Sequence, residues 1–469
     1  MFSLSNLRSR INPYINIFKS HIFKSNNILI PIRNIASVPV DPYYARCVRE
    51  NYKAIENQRK YGSTNYQPYP IILSKGRNCE VWTHDKQRKL DFLACYATVN
   101  QGHCHPRLIQ TANDQMQNIT LTSGIFHSDN LGIYQKRMHE IFRFDRLLPM
   151  NTGVEGAESA VKLARRWGYD IKKIPENSAL IVFPNANYWG RSIAAISGST
   201  DPTSYTGFGP YVEGFLNVEY NNLHALEELF KHNKNIAGYM FEPIQGEAGV
   251  IVPSDGYLQG VRELCNKYNV LMIADEVQTG LGRTGYLYAC QYENVKPDIL
   301  VLGKALSGGI MPISCVMASE EIMTVIKAGE HGSTFGGNPM ANALALVGVD
   351  IILEEGLVNK SLENGDYLRK QLNVLKCQYP DYIKEVRGRG LMCAVEMNHD
   401  FLKKKNIGQY IEYGCKFKDV NDICWEIIKN GVLVKPTHDT IIRISPPLTV
   451  STIEIDEAID VINNAFKKI

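Results

Sequence analysis

The sequence has no Cys-x-x-Cys pair, no clustered excess of one charge and no apolar run near the length of about 18 residues that a membrane span needs. Each absence excludes something. The 11 cysteines are scattered and odd in number, which argues against a disulfide scaffold or a zinc ribbon and suits a reducing compartment. Lys+Arg number 51 against 48 Asp+Glu, too balanced for a nucleic-acid binder. No internal repeat points to a solenoid or propeller. Acidic residues are missing from residues 1–40, which hold Arg8, Arg10, Lys19, Lys24 and Arg33. With those five set aside, 46 basic residues face 48 acidic ones. An acid-free, Arg- and Ser-bearing start suits a mitochondrial transit peptide, with processing before Ile35-Ala36-Ser37 as one option. The competing reading is a basic, Asn-rich tail, since Pro13 interrupts any helix there.

What is present is a large α/β pattern. The chain of 469 residues is 44% hydrophobic and 21% charged, enough apolar matter for an extensive core. Short apolar runs read as buried strands at 179–183, 236–241, 270–274, 299–302 and 313–318. Between two of them, Leu258, Val261, Leu264, Cys265 and Tyr268 recur at helical spacing, predicting an amphipathic helix over 256–269. Continuous apolar strands alternating with helices imply a mostly parallel sheet covered on both faces, with ligands at the strands' carboxyl ends. Residues 399–417 are polar and lysine-rich, and read as a surface insertion.

Two strand ends carry reactive side chains. Leu271-Met-Ile-Ala runs into Asp275-Glu276, where a carboxylate can serve a cation, a metal or a protonated ring nitrogen, or merely cap a helix. Val301-Leu302-Gly303 runs into Lys304, bracketed by glycines. Burial lowers a lysine's pKa and makes its amine nucleophilic; a lone Gly-Lys, by contrast, is more often a surface residue. Together the two can grip opposite sides of pyridoxal phosphate, the lysine bonding its aldehyde carbon and the carboxylate its ring nitrogen. An anion site follows from Met150-Asn-Thr152-Gly153-Val154-Glu155, whose backbone N–H groups would open a helix.

With these residues in view, the chain resembles the class III, fold-type-I pyridoxal-phosphate aminotransferases over roughly residues 60–450. The resemblance rests on Tyr61-Gly-Ser-Thr-Asn-Tyr66, Ala97-Thr-Val-Asn-Gln-Gly-His103-Cys-His105, Asn151-Thr-Gly-Val-Glu155, Tyr188-Trp-Gly-Arg191, Thr200-Asp-Pro-Thr-Ser-Tyr205, Glu242-Pro-Ile-Gln-Gly-Glu247, Asp275-Glu-Val-Gln-Thr-Gly-Leu-Gly-Arg-Thr-Gly285, Leu302-Gly-Lys304, Gly332-Ser-Thr334-Phe-Gly-Gly-Asn-Pro339 and Lys435-Pro-Thr-His438. It implies a large domain with a mostly parallel sheet plus a smaller α+β lobe. The expected layout is a transit segment over 1–40, an N-terminal segment over 41–90 joining the small lobe, a cofactor domain over 91–355 and a small domain over 356–469.

The same resemblance implies roles. Lys304 matches the lysine that binds pyridoxal 5'-phosphate covalently, and Asp275 the partner of its ring nitrogen. Gly153 and Val154 match the phosphate loop, Val277 the residue under the ring, Gln278 the residue near the ring hydroxyl, and Tyr188 the stacking aromatic, usually Phe. Thr334 matches a phosphate ligand given by the other subunit of a homodimer, which can associate further. For substrate, Tyr66 and Arg191 match groups that hold the α-amino and α-carboxylate ends of ornithine. Tyr96 matches a pocket wall, and Glu247 with Arg443 a pair that switches between substrates. Glu155-Gly156-Ala157 departs from the family's Glu-Ala-Gly. The implied activity moves the δ-amino group of L-ornithine to a 2-oxo acid, 2-oxoglutarate foremost, in the mitochondrial matrix, with the cytoplasm as the alternative. Acetylornithine and 4-aminobutyrate transamination are the rival activities. A non-catalytic protein on this fold is the rival class, and the intact Lys304 and Asp275 argue against it.

Other motifs are discounted. Gly280-Leu-Gly282-Arg-Thr-Gly285 spells G-x-G-x-x-G, but no acidic residue ends a second strand about 20 positions on, as a dinucleotide site requires. His103-Cys104-His105 lacks further ligands nearby in sequence, so no metal is expected. Neither nucleic acid nor membrane is an expected partner.

Overall fold

A computed structural model describes residues 53–398 and 419–468. The transit segment and the 399–417 insertion lie outside the described residues. The chain divides into two compact units, 1–70 and 71–469. In the first, residues 53–61 form a helix whose last turn is closed by the Gly62 amide donating to Gln58 O at 2.9 Å. Tyr61 and Tyr66 are largely exposed within that unit.

The second unit holds fifteen described strands in three sheets. The N-terminal ones are β1 (Leu73–Arg77), β2 (Glu80–Thr83) and β3 (Arg88–Asp91). The central ones are β4 (Arg146–Met150), β5 (Leu180–Pro184), β6 (Phe215–Val218), β7 (Ile236–Phe241), β8 (Leu271–Asp275), β9 (Ile299–Leu302) and β10 (Ser314–Ala318). The C-terminal ones are β11 (Ile383–Arg389), β12 (Met392–Met397), β13 (Val432–Leu433), β14 (Lys435–Thr437) and β15 (Ile441–Ile444).

The central sheet runs β4-β10-β9-β8-β7-β5-β6. Neighbours from β6 through β9 are parallel. All residues of β7, β8 and β9 are buried, as strands covered on both faces must be. The five apolar runs all become central strands, with ends within a residue or so of their reading. One feature is not in the runs: β10 is antiparallel to both β9 and β4. Hydropathy reports burial, and burial is the same for either direction. The helix Tyr257–Tyr268 matches the one expected over 256–269 and buries Leu258, Val261 and Cys265.

The helix Gly153–Asp170 covers one face of the sheet. It opens on a reciprocal cap: Thr152 accepts the Glu155 amide while the Glu155 side chain accepts the Asn151 and Thr152 amides. Ala157, Ala160, Leu163, Ala164 and Trp167 pack inward with Ile181, Phe183 and Ile273. A β-carbon on Gly156 would stand 3.1 Å from Val301 Cγ1, so the Gly-Ala order here lets the helix settle close on β9 and leaves the cap intact.

Two smaller sheets complete the unit. β1-β2-β3 continues into β13, parallel to β3, so residues near 90 pair with residues near 432. β11-β12-β15-β14 is antiparallel throughout. Fully buried Arg283 ties these parts together by donating to Leu391 O, Pro446 O and the Asn100 side chain. It has carbonyl acceptors rather than a carboxylate, and burial pushes its guanidinium down to about 9.

Candidate active site

Three parallel strands deliver three ionisable groups to one edge of the sheet. Phe241 pairs with Ala274, and Asp275 with Val301. Glu242, Asp275 and Lys304 therefore emerge together where β7, β8 and β9 end. Asp275 is 6% exposed, and one of its oxygens accepts the Val277 amide at 3.0 Å. Burial raises its pKa to about 6, against the pull of that hydrogen bond and of the Lys304 charge. The Lys304 amine is lowered by burial, partly offset by Asp275, Glu247 and Glu242. Glu242 is pushed up to about 8, first by burial and then by the Asp275 charge, while the amides of Tyr188 and Gly246 donate to it at 3.0 and 3.1 Å. Burial thus raises both neighbouring acids, Glu242 the further because the Asp275 charge adds to it. Lys304 also has φ +42, a left-handed backbone that an L side chain seldom takes and that only firm surroundings maintain.

The helix start sits against the same strand ends. A β-carbon on Gly153 would come within 2.9 Å of Val277 Cγ1, and one on Gly303 within 3.2 Å of the same methyl. Gly153 and Val154, as first residues of a helix, have no carbonyl four places back to receive their N–H groups within it.

A second cluster faces the first. Arg443, on β15, is 1% exposed. It donates to Glu247 Oε1 and to Gln278 Oε1, each at 2.7 Å, and Gln278 Nε2 reaches Glu247 Oε1 at 3.3 Å. Burial raises the Glu247 carboxyl, but the charge and hydrogen bond of Arg443, with Lys435 and Lys304, bring it down to about 2. The Tyr96 ring lies 4.8 Å from Lys435 Nζ and 5.4 Å from Arg443 Cζ, cation–π range.

The structure brings Asp275, Lys304, Glu247, Gln278 and Arg443 into one field. It gives Gln278 a contact that its sequence reading did not include, bridging Glu247 and Arg443. Tyr188 is half-buried, anchored through its amide to Glu242, and the exposed Arg191 guanidinium lies 5.8 Å from its ring. Thr334 is exposed, next to Ser333, whose hydroxyl accepts from Asn151. Tyr66 belongs to the first unit. His103 pairs with Asp91 at 2.6 Å and His105 with Glu355 at 3.0 Å. Among the described residues no group of three His, Cys, Asp or Glu is arranged to hold a metal. Sequence reasoning missed Glu242 and Lys435. A signal for Glu242 existed, since an acid following a wholly apolar strand marks the same edge as Asp275.

A mostly parallel sheet with a lysine, an aspartate and a glycine-started helix at its carboxyl edge is an arrangement suited to pyridoxal-phosphate chemistry, as in the aminotransferase class. The family described as "Aminotransferase class-III" matches residues 61–466, and the chain belongs to it. The chain is 49% identical over 407 residues to "Probable ornithine aminotransferase, mitochondrial" of Caenorhabditis elegans, covering 87% of this chain and 92% of that protein. It is 49% identical over 409 residues to "Ornithine aminotransferase, mitochondrial" of Drosophila melanogaster, covering 87% and 90%. A solved ornithine aminotransferase from Toxoplasma gondii, described with partial occupancy of PLP at its active site, superposes with TM-score 0.83 at 43% identity, covering 89% of this chain and 94% of that one.

Proposed function

We propose that this chain transfers the δ-amino group of L-ornithine to 2-oxoglutarate, giving L-glutamate 5-semialdehyde and L-glutamate, with pyridoxal 5'-phosphate as cofactor. The observation that carries it is the half-buried Lys304 and buried Asp275 on neighbouring strand ends, faced by the Glu247–Arg443 pair. The residues fit the cofactor: Gly153 leaves room beside Val277 at a helix start suited to phosphate, Asp275 suits a ring nitrogen, and Val277 offers an apolar face. When bound, pyridoxal phosphate supplies an aldehyde carbon to receive the amine and a ring to take up electrons from the adjacent carbon.

The chain's own residues do the rest. Asp275, ionised above about pH 6, holds a proton on the ring nitrogen. Lys304, its amine made more readily neutral by burial, removes a proton from Cδ of ornithine and returns one nearby. Glu247 neutralises Arg443 while ornithine is bound, so no free guanidinium draws the α-carboxylate to the reacting position. When 2-oxoglutarate arrives, its carboxylate replaces Glu247 on Arg443, a bidentate match. Arg191 and Tyr66 hold the α-carboxylate and α-amino ends. Tyr188 covers the ring, and Thr334 completes the phosphate site of a second copy, which makes the working unit a homodimer. The relatives named mitochondrial and the acid-free residues 1–40 support a place in the mitochondrial matrix.

The test is a spectroscopic titration of the cofactor-loaded enzyme. Its visible absorbance should bleach with L-ornithine and return with 2-oxoglutarate. Bleaching by 4-aminobutyrate or N-acetylornithine but not by ornithine would replace this substrate assignment.

A further inference from the structure

Residues 94–97 form a feature that the reaction does not explain. Ala94, Cys95, Tyr96 and Ala97 have φ of +48, +47, +60 and +64 in succession. Left-handed residues ordinarily occur singly and as glycine, asparagine or aspartate, because the β-carbon crowds the following carbonyl. Four consecutive non-glycine residues in that region persist only where the surroundings over-determine them.

Those surroundings converge on Asp91, which is 3% exposed at the end of β3. Its Oδ1 accepts the amides of Leu93 and Ala94, both at 2.9 Å, the second being the first left-handed residue. Its Oδ2 is held 2.6 Å from Nε2 of His103. The turn is then closed on itself by the Tyr96 amide to Leu93 O at 3.0 Å, the Thr98 amide to Ala94 O at 2.8 Å and the Thr98 hydroxyl to Cys95 O at 2.7 Å. The methyls of Ala94 and Ala97 are buried, at 0% and 3% exposure, so the reversed hand directs both inward. What the turn delivers is Tyr96, with its ring beside Lys435 and Arg443.

We propose that Asp91, itself fixed by His103, is a positioning residue for substrate choice: it holds the left-handed turn that places Tyr96 beside Lys435 and Arg443, the partner of Glu247. Without Asp91 the turn relaxes toward a right-handed or extended path, Tyr96 leaves the arginine, and the pair opens to α-carboxylates more readily. The effect is on which amine is presented, not on the proton transfer at Lys304. This rests on the ornithine reading above, and it gives the His103 motif a task that neither metal binding nor cofactor binding supplies.

The experiment measures half-reaction rate constants of the cofactor-loaded enzyme with L-ornithine and with L-glutamate, from the absorbance change. In Asp91→Ala the ornithine-to-glutamate ratio should fall by about tenfold or more, with bound cofactor retained. Asp91→Asn keeps the oxygen that receives both amides and should stay within about threefold of wild type. In a Tyr96→Leu background, Asp91→Ala should change the ratio by less than about twofold, because both act through one ring. Should Asp91→Ala not fold, His103→Leu leaves the two amide bonds in place and should lower the ratio by about threefold. A ratio unchanged in Asp91→Ala or His103→Leu, or effects of Asp91 and Tyr96 that simply multiply, overturns the proposal. A wild type inert to ornithine overturns the functional reading instead, so the two failures are separable.

Discussion

The two sides of the site are built differently. One side is the carboxyl edge of the parallel sheet, where Glu242, Asp275 and Lys304 follow wholly buried strands. The other comes from three separate places: a left-handed turn after β3, a loop after β7 and strand β15 of another sheet. The first side is rigid because each strand is hydrogen-bonded to its neighbours, and its chemistry is common to any amine substrate. The second is an ion pair and an aromatic ring held by strained backbone, and in the proposal above it selects which amine reacts. The proposed catalytic groups thus follow directly on the central strands, while the proposed selective groups sit where segments distant in sequence meet.

The sharpest way to break this division is at Lys304. Lys304→Ala should lower transamination of every substrate alike by at least about 10²–10⁴-fold, the range for a positioned proton carrier. Single-turnover kinetics with ornithine and with glutamate would check it. An effect confined to one substrate would place Lys304 on the selective side.

Glu247→Ala tests the opposite wall. It frees Arg443 and should divert ornithine toward reaction at its α-amine, shifting the ornithine-to-glutamate preference by about 5- to 150-fold, as expected for about 1–3 kcal/mol. The pair also carries stability. A carboxyl lowered from 4.5 to about 2 contributes about 3 kcal/mol, present above about pH 4.5 and lost as pH falls through about 2. Urea unfolding of wild type and variant between pH 2 and pH 5 measures this. If stability falls while the preference stays within about twofold, the pair is architecture alone.

A pH experiment sharpens the first side. Asp275 is raised to about 6 in the cofactor-free chain, first by burial. By linkage its protonated form favours folding: that contribution is fully present below the ordinary carboxylate pKa of 3.8 and is lost as pH rises through about 6. Cofactor binding needs the ionised form. Affinity for pyridoxal phosphate should therefore fall by about tenfold per pH unit below about 6, over and above the titration of the phosphate itself. Asp275→Asn should remove that component, leaving weak binding with a shallower slope, as followed by equilibrium dialysis.

The smallest expected effect concerns the strained turn. Cys95 is exposed with φ +47. Glycine there relieves about 1–2 kcal/mol of left-handed crowding and costs about 0.4–1 kcal/mol of chain entropy. Cys95→Gly should thus stabilise the protein by about 0.5–1 kcal/mol in denaturant unfolding. A loss of stability would show that the turn is not strained.

Much of the first side was legible beforehand. Burial writes itself into apolar runs, and a charged residue at the end of such a run marks an edge, so Asp275 and Lys304 stand out without coordinates. The same logic located β7, β8 and β9 almost to the residue. Glu242 follows the same rule, one residue beyond the wholly buried β7.

The amino-acid sequence by itself determined the α/β layering, the strand-end positions of Lys304 and Asp275, the helix start at Gly153 and the family. All of these depend on local patterns, since hydrophobic period, capping chemistry and strand ends are settled within a few residues of chain. Only the tertiary structure decided the antiparallel direction of β10, the bridge of Gln278 to Arg443 and Glu247, and the left-handed hand of residues 94–97. Nothing in Ala-Cys-Tyr-Ala announces positive φ, because each residue alone prefers the other hand. The hand is imposed by Asp91, by buried methyls and by hydrogen bonds that close only when β3, the turn and the segment to His103 are folded together.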